Sequence, residues 1–235
     1  MRLLLFSNST NAGEEYLNYT LPYIQNFLNS QERKVLFIPF AGITPGFDNY
    51  EKMVAGKLGK IGISIESLHK KKDKSLAIRN AWCIMIGGGN TFCLLKALQD
   101  YNLLDIVRER LRKGIPYIGW SAGSNIVCPT IRTTNDMPIT EPENFDALQL
   151  IPFQINPHYT DFVDKSHAGE TREMRIEEFL LINKGVFVAG LREGTLLKIN
   201  DNSIQLMGER SCRIFKYGEK PREVYAGENL GFLMQ

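Results

Sequence analysis

The chain has 235 residues, 43% of them hydrophobic and 23% charged, with a formal net charge of +2. A chain of that length buries a substantial core without disulfide or metal staples, and so small a net charge gives no field to draw in nucleic acid or an anionic membrane. No stretch approaches the ~18 consecutive apolar residues of a membrane helix, and the apolar run in the opening MRLLLFSNST is too brief for a secretory signal.

Residues 2–7, RLLLFS, read as a buried strand. In residues 13–29 the apolar positions Tyr16, Leu17, Leu21, Ile24 and Leu28 have helical spacing, and Pro22 inside the span is expected to shorten or shift the helix. KVLFIPF (34–40) reads as a second strand, 47–58 as a helix and 61–68 as a strand. The basic run Lys70, Lys71, Lys72 and Lys74 is expected in a solvated loop or helix end, since no aromatic interleaving accompanies it. WCIMI (82–86) reads as a buried strand, and 92–113 carries long helical periodicity with a break near Tyr101 and Asn102. Residues 116–120 form another predicted strand, and 135–154, rich in Pro, Glu, Asp and Asn, a long ordered loop. A helix opens at Thr171 and runs to 183, followed by a strand at 185–191.

Strands alternating with helices imply crossover connections, hence an α/β fold with a mainly parallel sheet and helices on both faces. After Gly194 the pattern changes. TLLKIND, SIQLMG and CRIFKYG alternate polar and apolar residues and are separated by turn signals, which predicts antiparallel C-terminal strands attached to the sheet. With no repeat or linker in view, residues 1–235 are read as a single domain. Cys83, Cys93, Cys128 and Cys212 form no C-x-x-C pair, which points away from zinc and redox sites. Cys83 and Cys93 sit in apolar segments as small hydrophobes, and a reducing, cytoplasmic location is expected.

Gly119-Trp120-Ser121-Ala122-Gly123 matches G-x-S-x-G between a predicted strand and a predicted helix. A serine at such a turn protrudes above the sheet, glycines on either side relieve crowding, and the helix N-terminus favours developing negative charge. On these letters alone a phosphate-binding or purely structural turn stands beside a nucleophile. Gly87-Gly88-Gly89-Asn90 follows the strand WCIMI, so the N–H groups of Gly88 and Ala122 are candidates to hold an oxyanion; a turn needing small residues is the alternative. A nucleophilic serine needs a base. His69 adjoins the lysine run and His167 a polar turn, which leaves His158, in NPH after a strand-like segment, as the best candidate. The orienting carboxylate could be Asp136, Asp161, Asp164 or Glu193, and spacing does not choose among them, although Glu193 lies at a predicted strand end. No metal-ligand cluster is visible, so no metal or cofactor is expected.

Taken together, LLLFSNST (3–10), FIPFAG (37–42), GGGNTF (87–92), YIGWSAGSN (117–125), CPTIRTTNDMPI (128–139), FDALQL (145–150), QINPHYT (154–160) and GETRE (169–173) resemble peptidase E, the aspartyl dipeptidase family. The resemblance spans nearly the whole chain. It implies a fold similar to the glutaminase domains of class I amidotransferases, with serine in place of their cysteine, and an intracellular serine peptidase acting on small dipeptides with N-terminal aspartate. It further implies Ser121 as nucleophile and His158 as base, with either Glu193 or Asp136 as third member of the triad; Glu193 is preferred here and Asp136 is the runner-up. The sequence departs from the family at Ser124, where members carry alanine, and at Arg192, where they carry proline, which sets a cation beside Glu193. An enzyme selecting aspartate needs a cation for its side chain, and Arg132 is the first candidate, Arg172 the second. A small-molecule esterase or thioesterase using the same triad, and a nucleotide- or phosphate-binding module lacking the usual P-loop lysine, are the competing readings. The sequence leaves the oligomeric state open, a homodimer included.

Overall fold

The apolar run RLLLF forms the first strand, β1 (Arg2–Phe6), and alternation along it divides the molecule in two. Leu3 and Leu5 point into one hydrophobic cluster, Leu4 and Phe6 into the other, on the opposite face of the sheet. The computed structural model describes residues 1–29, 34–162 and 168–235. β2 (Val35–Ile38), β4 (Ile84–Ile86) and β5 (Pro116–Trp120) are buried throughout, as strands covered by helices on both faces must be. With β3 (Ile65–Ser67) and β1 they pair in parallel in the order β3-β2-β4-β5-β1. The helices α1 (Leu21–Leu28), α2 (Phe47–Leu58), α3 (Lys74–Asn80), α4 (Thr91–Asp100) and α5 (Leu104–Arg112) lie between these strands in the chain.

Two further strands close that sheet: β8 (Leu196–Asn200) runs antiparallel to β1, and β9 (Ser203–Met207) antiparallel to β8. A second sheet has the order β11-β10-β7-β6, built from β6 (Gln154–Tyr159), β7 (Val188–Arg192), β10 (Cys212–Phe215) and β11 (Arg222–Val224). β6 and β7 are parallel, with α7 (Arg172–Ile182) between them in the chain. The mainly parallel α/β reading therefore holds, with antiparallel strands at the C-terminal end. Those strands divide, however. CRIFKYG leaves the hairpin before it and pairs with β7 in the second sheet. Alternation marks a segment as a strand but does not choose its partner.

The helix expected from residue 13 begins only at Leu21, with Pro22 in its first turn, where a missing N–H costs nothing. The break expected near Tyr101 and Asn102 separates α4 from α5, with Asn102 in the left-handed region at φ 53°. Asp73 caps α3 through Leu76 N at 2.8 Å, so the last of the four clustered lysines starts a helix. Thr171 caps α7 through Met174 N, as its sequence setting suggests. Residues 126–153 form a long loop, pinned by one bridge between Thr130 and Asp146. Among the described residues no helix is long and apolar enough to cross a membrane.

Candidate active site

Ser121 stands between the end of β5 and the one-turn helix α6 (Ala122–Asn125), with φ 53° and ψ −112°. A non-glycine residue held there stores on the order of 1–3 kcal/mol of strain. Its surroundings enforce the conformation. Ser121 N donates to Phe6 O at 3.1 Å, and the N–H groups of Ser124 and Asn125 both donate to Ser121 O at 2.9 Å. The flanking glycines are a steric necessity: a Cβ on Gly119 would lie 2.3 Å from Gly123 O, and one on Gly123 2.1 Å from Ile86 O. The five-residue motif is thus the signature of a turn too crowded for side chains two residues before and two residues after its serine.

Gly88 packs directly on this turn; a Cβ there would lie 3.0 Å from Ser121 Cβ. Among the described residues neither its N–H nor that of Ala122 has a hydrogen-bond partner. The Gly88 carbonyl is anchored by the Tyr50 hydroxyl, 2.9 Å away, which in turn accepts from Trp120 Nε1 at 3.1 Å.

His158 comes from β6, at a point where the pairing with β7 shifts register between Asn156 and Tyr159. Like Ser121 it has a positive φ, 53°. Such an irregularity re-aims a side chain out of the ordinary pleat. His158 Nε2 lies 3.0 Å from Ser121 Oγ, and His158 Nδ1 lies 2.8 Å from Oε1 of Glu193, the residue after β7. With Nδ1–H donated to the carboxylate, the Nε2 lone pair faces the serine hydroxyl. Ser121 and His158 line a cavity of about 600 Å³, and Glu193 completes the line behind the imidazole.

The other carboxylates lie elsewhere. Asp136 accepts from Thr91 N at 2.7 Å, Thr91 Oγ1 at 2.5 Å and Thr134 Oγ1 at 2.9 Å, so it ties the long loop to the N-terminus of α4 while still lining the cavity. No hydrogen bond or ion pair joins it to His158. Asp161 pairs with Arg192. Asp164 and His167 lie outside the described residues. His69 bonds Ser67 and Asp48, away from the cavity. Asp48, Glu51 and His69 form the group of possible metal ligands among the described residues, and Lys70 already pairs with both carboxylates.

The two candidate arginines differ. Arg132 is exposed and lies over the Phe145 ring at 5.3 Å, and neither arginine is among the residues lining the cavity. Arg172 is half-buried and donates to Asn135 Oδ1. That oxygen also accepts from Asn156 Nδ2 at 2.7 Å, while Asn135 Nδ2 donates to Pro157 O at 2.6 Å, which sets Arg172 beside the segment carrying His158. Burial first, then nearby Arg175, pushes the Arg172 pKa below its ordinary value, and no carboxylate pairs with it among the described residues. Arg192, whose place beside Glu193 was a concern, turns to Glu223, Ser211 and Asp161 instead.

Residue-type reasoning missed the apolar and aromatic wall of the cavity, formed by Tyr16, Ile43, Pro45, Tyr50 and Met53 beside Trp120. Tyr16 looks in sequence like an ordinary helical core position, yet it lines the cavity with its hydroxyl enclosed beside Tyr50 and Trp120. Periodicity cannot distinguish a core from a pocket wall.

The model of peptidase family S51 matches residues 3–207. Peptidase E from Nostoc sp. is 50% identical over 234 residues, which is all of this chain and 97% of that protein. Peptidase E from Salmonella paratyphi A is 47% identical over 227 residues, covering 97% of this chain and 99% of that one. The crystal structure of a peptidase from an acI-B1 actinobacterium superposes with a TM-score of 0.70 over 97% of this chain and 96% of its own, at 16% identity, a likeness of fold alone.

Proposed function

The chain belongs to peptidase family S51, and on that premise we propose that it is a serine dipeptidase removing N-terminal aspartate from Asp-Xaa dipeptides. The observation carrying this reading is the unbroken line Ser121 Oγ–His158 Nε2 (3.0 Å) and His158 Nδ1–Glu193 Oε1 (2.8 Å), whose serine and histidine line a cavity. Ser121 Oγ attacks the scissile carbonyl as its proton passes to His158 Nε2. Glu193 holds the tautomer and stabilises the imidazolium. The N–H groups of Gly88 and Ala122 receive the oxyanion. His158 then protonates the leaving amine, and the acyl-enzyme forms. Water, deprotonated by His158, releases aspartate and restores Ser121. This chain's own groups carry each step.

Specificity for aspartate needs a partly desolvated cation that no carboxylate among the described residues neutralises. Arg172 meets that description better than Arg132, which is stacked and exposed, so the order of the two candidates is reversed. Asp136 takes the role of ordering the cavity loop. The four cysteines are all free, which supports a reducing, cytoplasmic setting.

The test is turnover of a panel of Xaa-Leu dipeptides by the wild type and by Ser121→Ala. Asp-Leu should be hydrolysed well ahead of Asn-Leu and Ala-Leu, and folded Ser121→Ala should lose activity by several orders of magnitude. Near-normal turnover by that variant removes the mechanism. Cleavage of simple esters with every peptide left intact favours an esterase, and nucleotide protection in thermal melting without peptide hydrolysis favours a binding module.

A further inference from the structure

Ser121 belongs to the central sheet, through β5, whereas His158 and Glu193 belong to the second sheet, through β6 and β7. Among the described residues no strand pairing joins the two sheets. Hydrogen bonds 3 Å long therefore depend on how the sheets are held against each other. Phe6, the last residue of β1, ties the Ser121 turn to that strand, and Ser7 and Asn8, the next two residues, tie the second sheet to it. Phe6 O accepts from Ser121 N at 3.1 Å and from Ser124 Oγ at 2.6 Å. Ser7 Oγ accepts from His158 N at 2.9 Å and donates to Leu191 O, on the strand leading to Glu193, at 2.7 Å. Asn8 Oδ1 accepts from Gly194 N, the residue after Glu193, at 2.9 Å, and from the Tyr19 hydroxyl at 2.6 Å. Ser7 and Asn8 are 0% and 1% exposed.

We propose that Ser7 and Asn8 are positioning residues that set the His158–Glu193 pair at hydrogen-bond distance from Ser121, Ser7 through the His158 N–H and the backbone of β7, Asn8 through the N–H of Gly194 beside Glu193. The inference rests on the triad reading above. The Ser7 hydroxyl is used twice, as acceptor from β6 and donor to β7, so both strands are referenced to one oxygen. It also closes the His158 N–H while that residue holds a positive φ, which a relaxed backbone would abandon. Alanine removes both bonds. Cysteine keeps the shape with a weaker donor and acceptor.

The experiment measures kcat and KM on the dipeptide the wild type turns over best, together with Tm. Ser7→Ala should lower kcat about 10- to 100-fold with KM within about threefold, because a displacement of order 1 Å disables proton transfer and leaves the substrate-binding groups in place. Ser7→Cys should fall between it and the wild type, and carries the test if the alanine variant does not fold. Asn8→Ala, which frees the Gly194 N–H, should show the same kcat-selective loss. Asp73→Ala removes the distant α3 cap and supplies a comparable Tm loss with kcat unchanged. A folded Ser7→Ala or Ser7→Cys with wild-type kcat, or a loss in proportion to Tm or shared by KM, overturns the positioning role. Ser121→Ala is run alongside. If it is inactive while Ser7→Ala keeps full kcat, the positioning inference alone fails; if it is active, the triad reading fails and the inference goes with it.

Discussion

Arg192 and Glu193 are neighbours at the end of β7, yet their side chains enter opposite surroundings. Arg192 is 12% exposed and lies in a closed network: Glu223 at 2.7 Å, Asp161 at 3.0 Å, and Ser211 O at 3.0 Å. Arg213 extends that network, reaching Glu223 and Glu173 at 3.0 Å each. Each cation there meets more than one carboxylate. Glu193 is 46% exposed and pairs with His158, whose other nitrogen faces a serine hydroxyl and an open cavity. Mutual neutralisation leaves the first cluster nothing to exchange with a ligand. The second keeps a proton path open at one end. One strand end therefore serves stability on one side and chemistry on the other, and the arginine beside the candidate catalytic acid does not quench it, because other carboxylates hold it.

The sharpest way to break this comparison is to neutralise the open carboxylate. Glu193→Gln should lower kcat by about two to four orders of magnitude with little change in KM, because the amide can present the wrong face to His158. Asp136→Asn, which weakens the loop staple to α4, should lower Tm by a few degrees and kcat by less than about tenfold. Steady-state kinetics on both variants decides the matter; the reverse pattern transfers the orienting role to Asp136.

A smaller effect separates the two arginines. Arg172→Met should lower kcat/KM for Asp-Leu by roughly two orders of magnitude, the scale of one charge-assisted contact, and leave Ala-Leu nearly untouched. Arg132→Met should change both substrates by less than about threefold, since removing an exposed cation from one aromatic ring forfeits little. Equal losses on both substrates in Arg172→Met would make that residue a loop staple.

The smallest effect lies in the closed network and appears only in acid. Arg192 chiefly, helped by Ser211 and Arg213, holds the Glu223 carboxyl at about 2 against an ordinary 4.5. A depressed carboxylate pKa stabilises the fold above the unfolded value and loses that contribution as pH falls through the folded one. The Tm gap between wild type and Glu223→Gln should therefore be full at neutral pH and close between about 4.5 and about 2, with kcat at neutral pH unchanged. A gap of constant size across that range would show that the ionised form of Glu223 does not matter to stability.

What the sequence determined by itself is what short-range sterics and alternation enforce. Uninterrupted apolar runs marked β2 and β4, because burial on both faces leaves no polar positions, whereas the half-buried parallel strand β3 carries Glu66 and Ser67. G-x-S-x-G marked the serine turn, because at Gly119 the clash is local, with Gly123 O four residues on, although at Gly123 it is with Ile86 O on the neighbouring strand β4. Thr171 at a helix start and the break beside Asn102 were legible for the same reason, since each is a matter of one turn of backbone. Tertiary structure alone decided which acid meets His158, because Glu193 is 35 residues away and reaches it only when β6 and β7 lie side by side. It also decided that Arg172 rather than Arg132 faces the His158 segment, that β10 joins the second sheet, and that Ser7 and Asn8 bridge the two. Residue type and spacing say what a side chain can do. Which groups meet is set by the packing of strands far apart in the chain, and no local pattern encodes that.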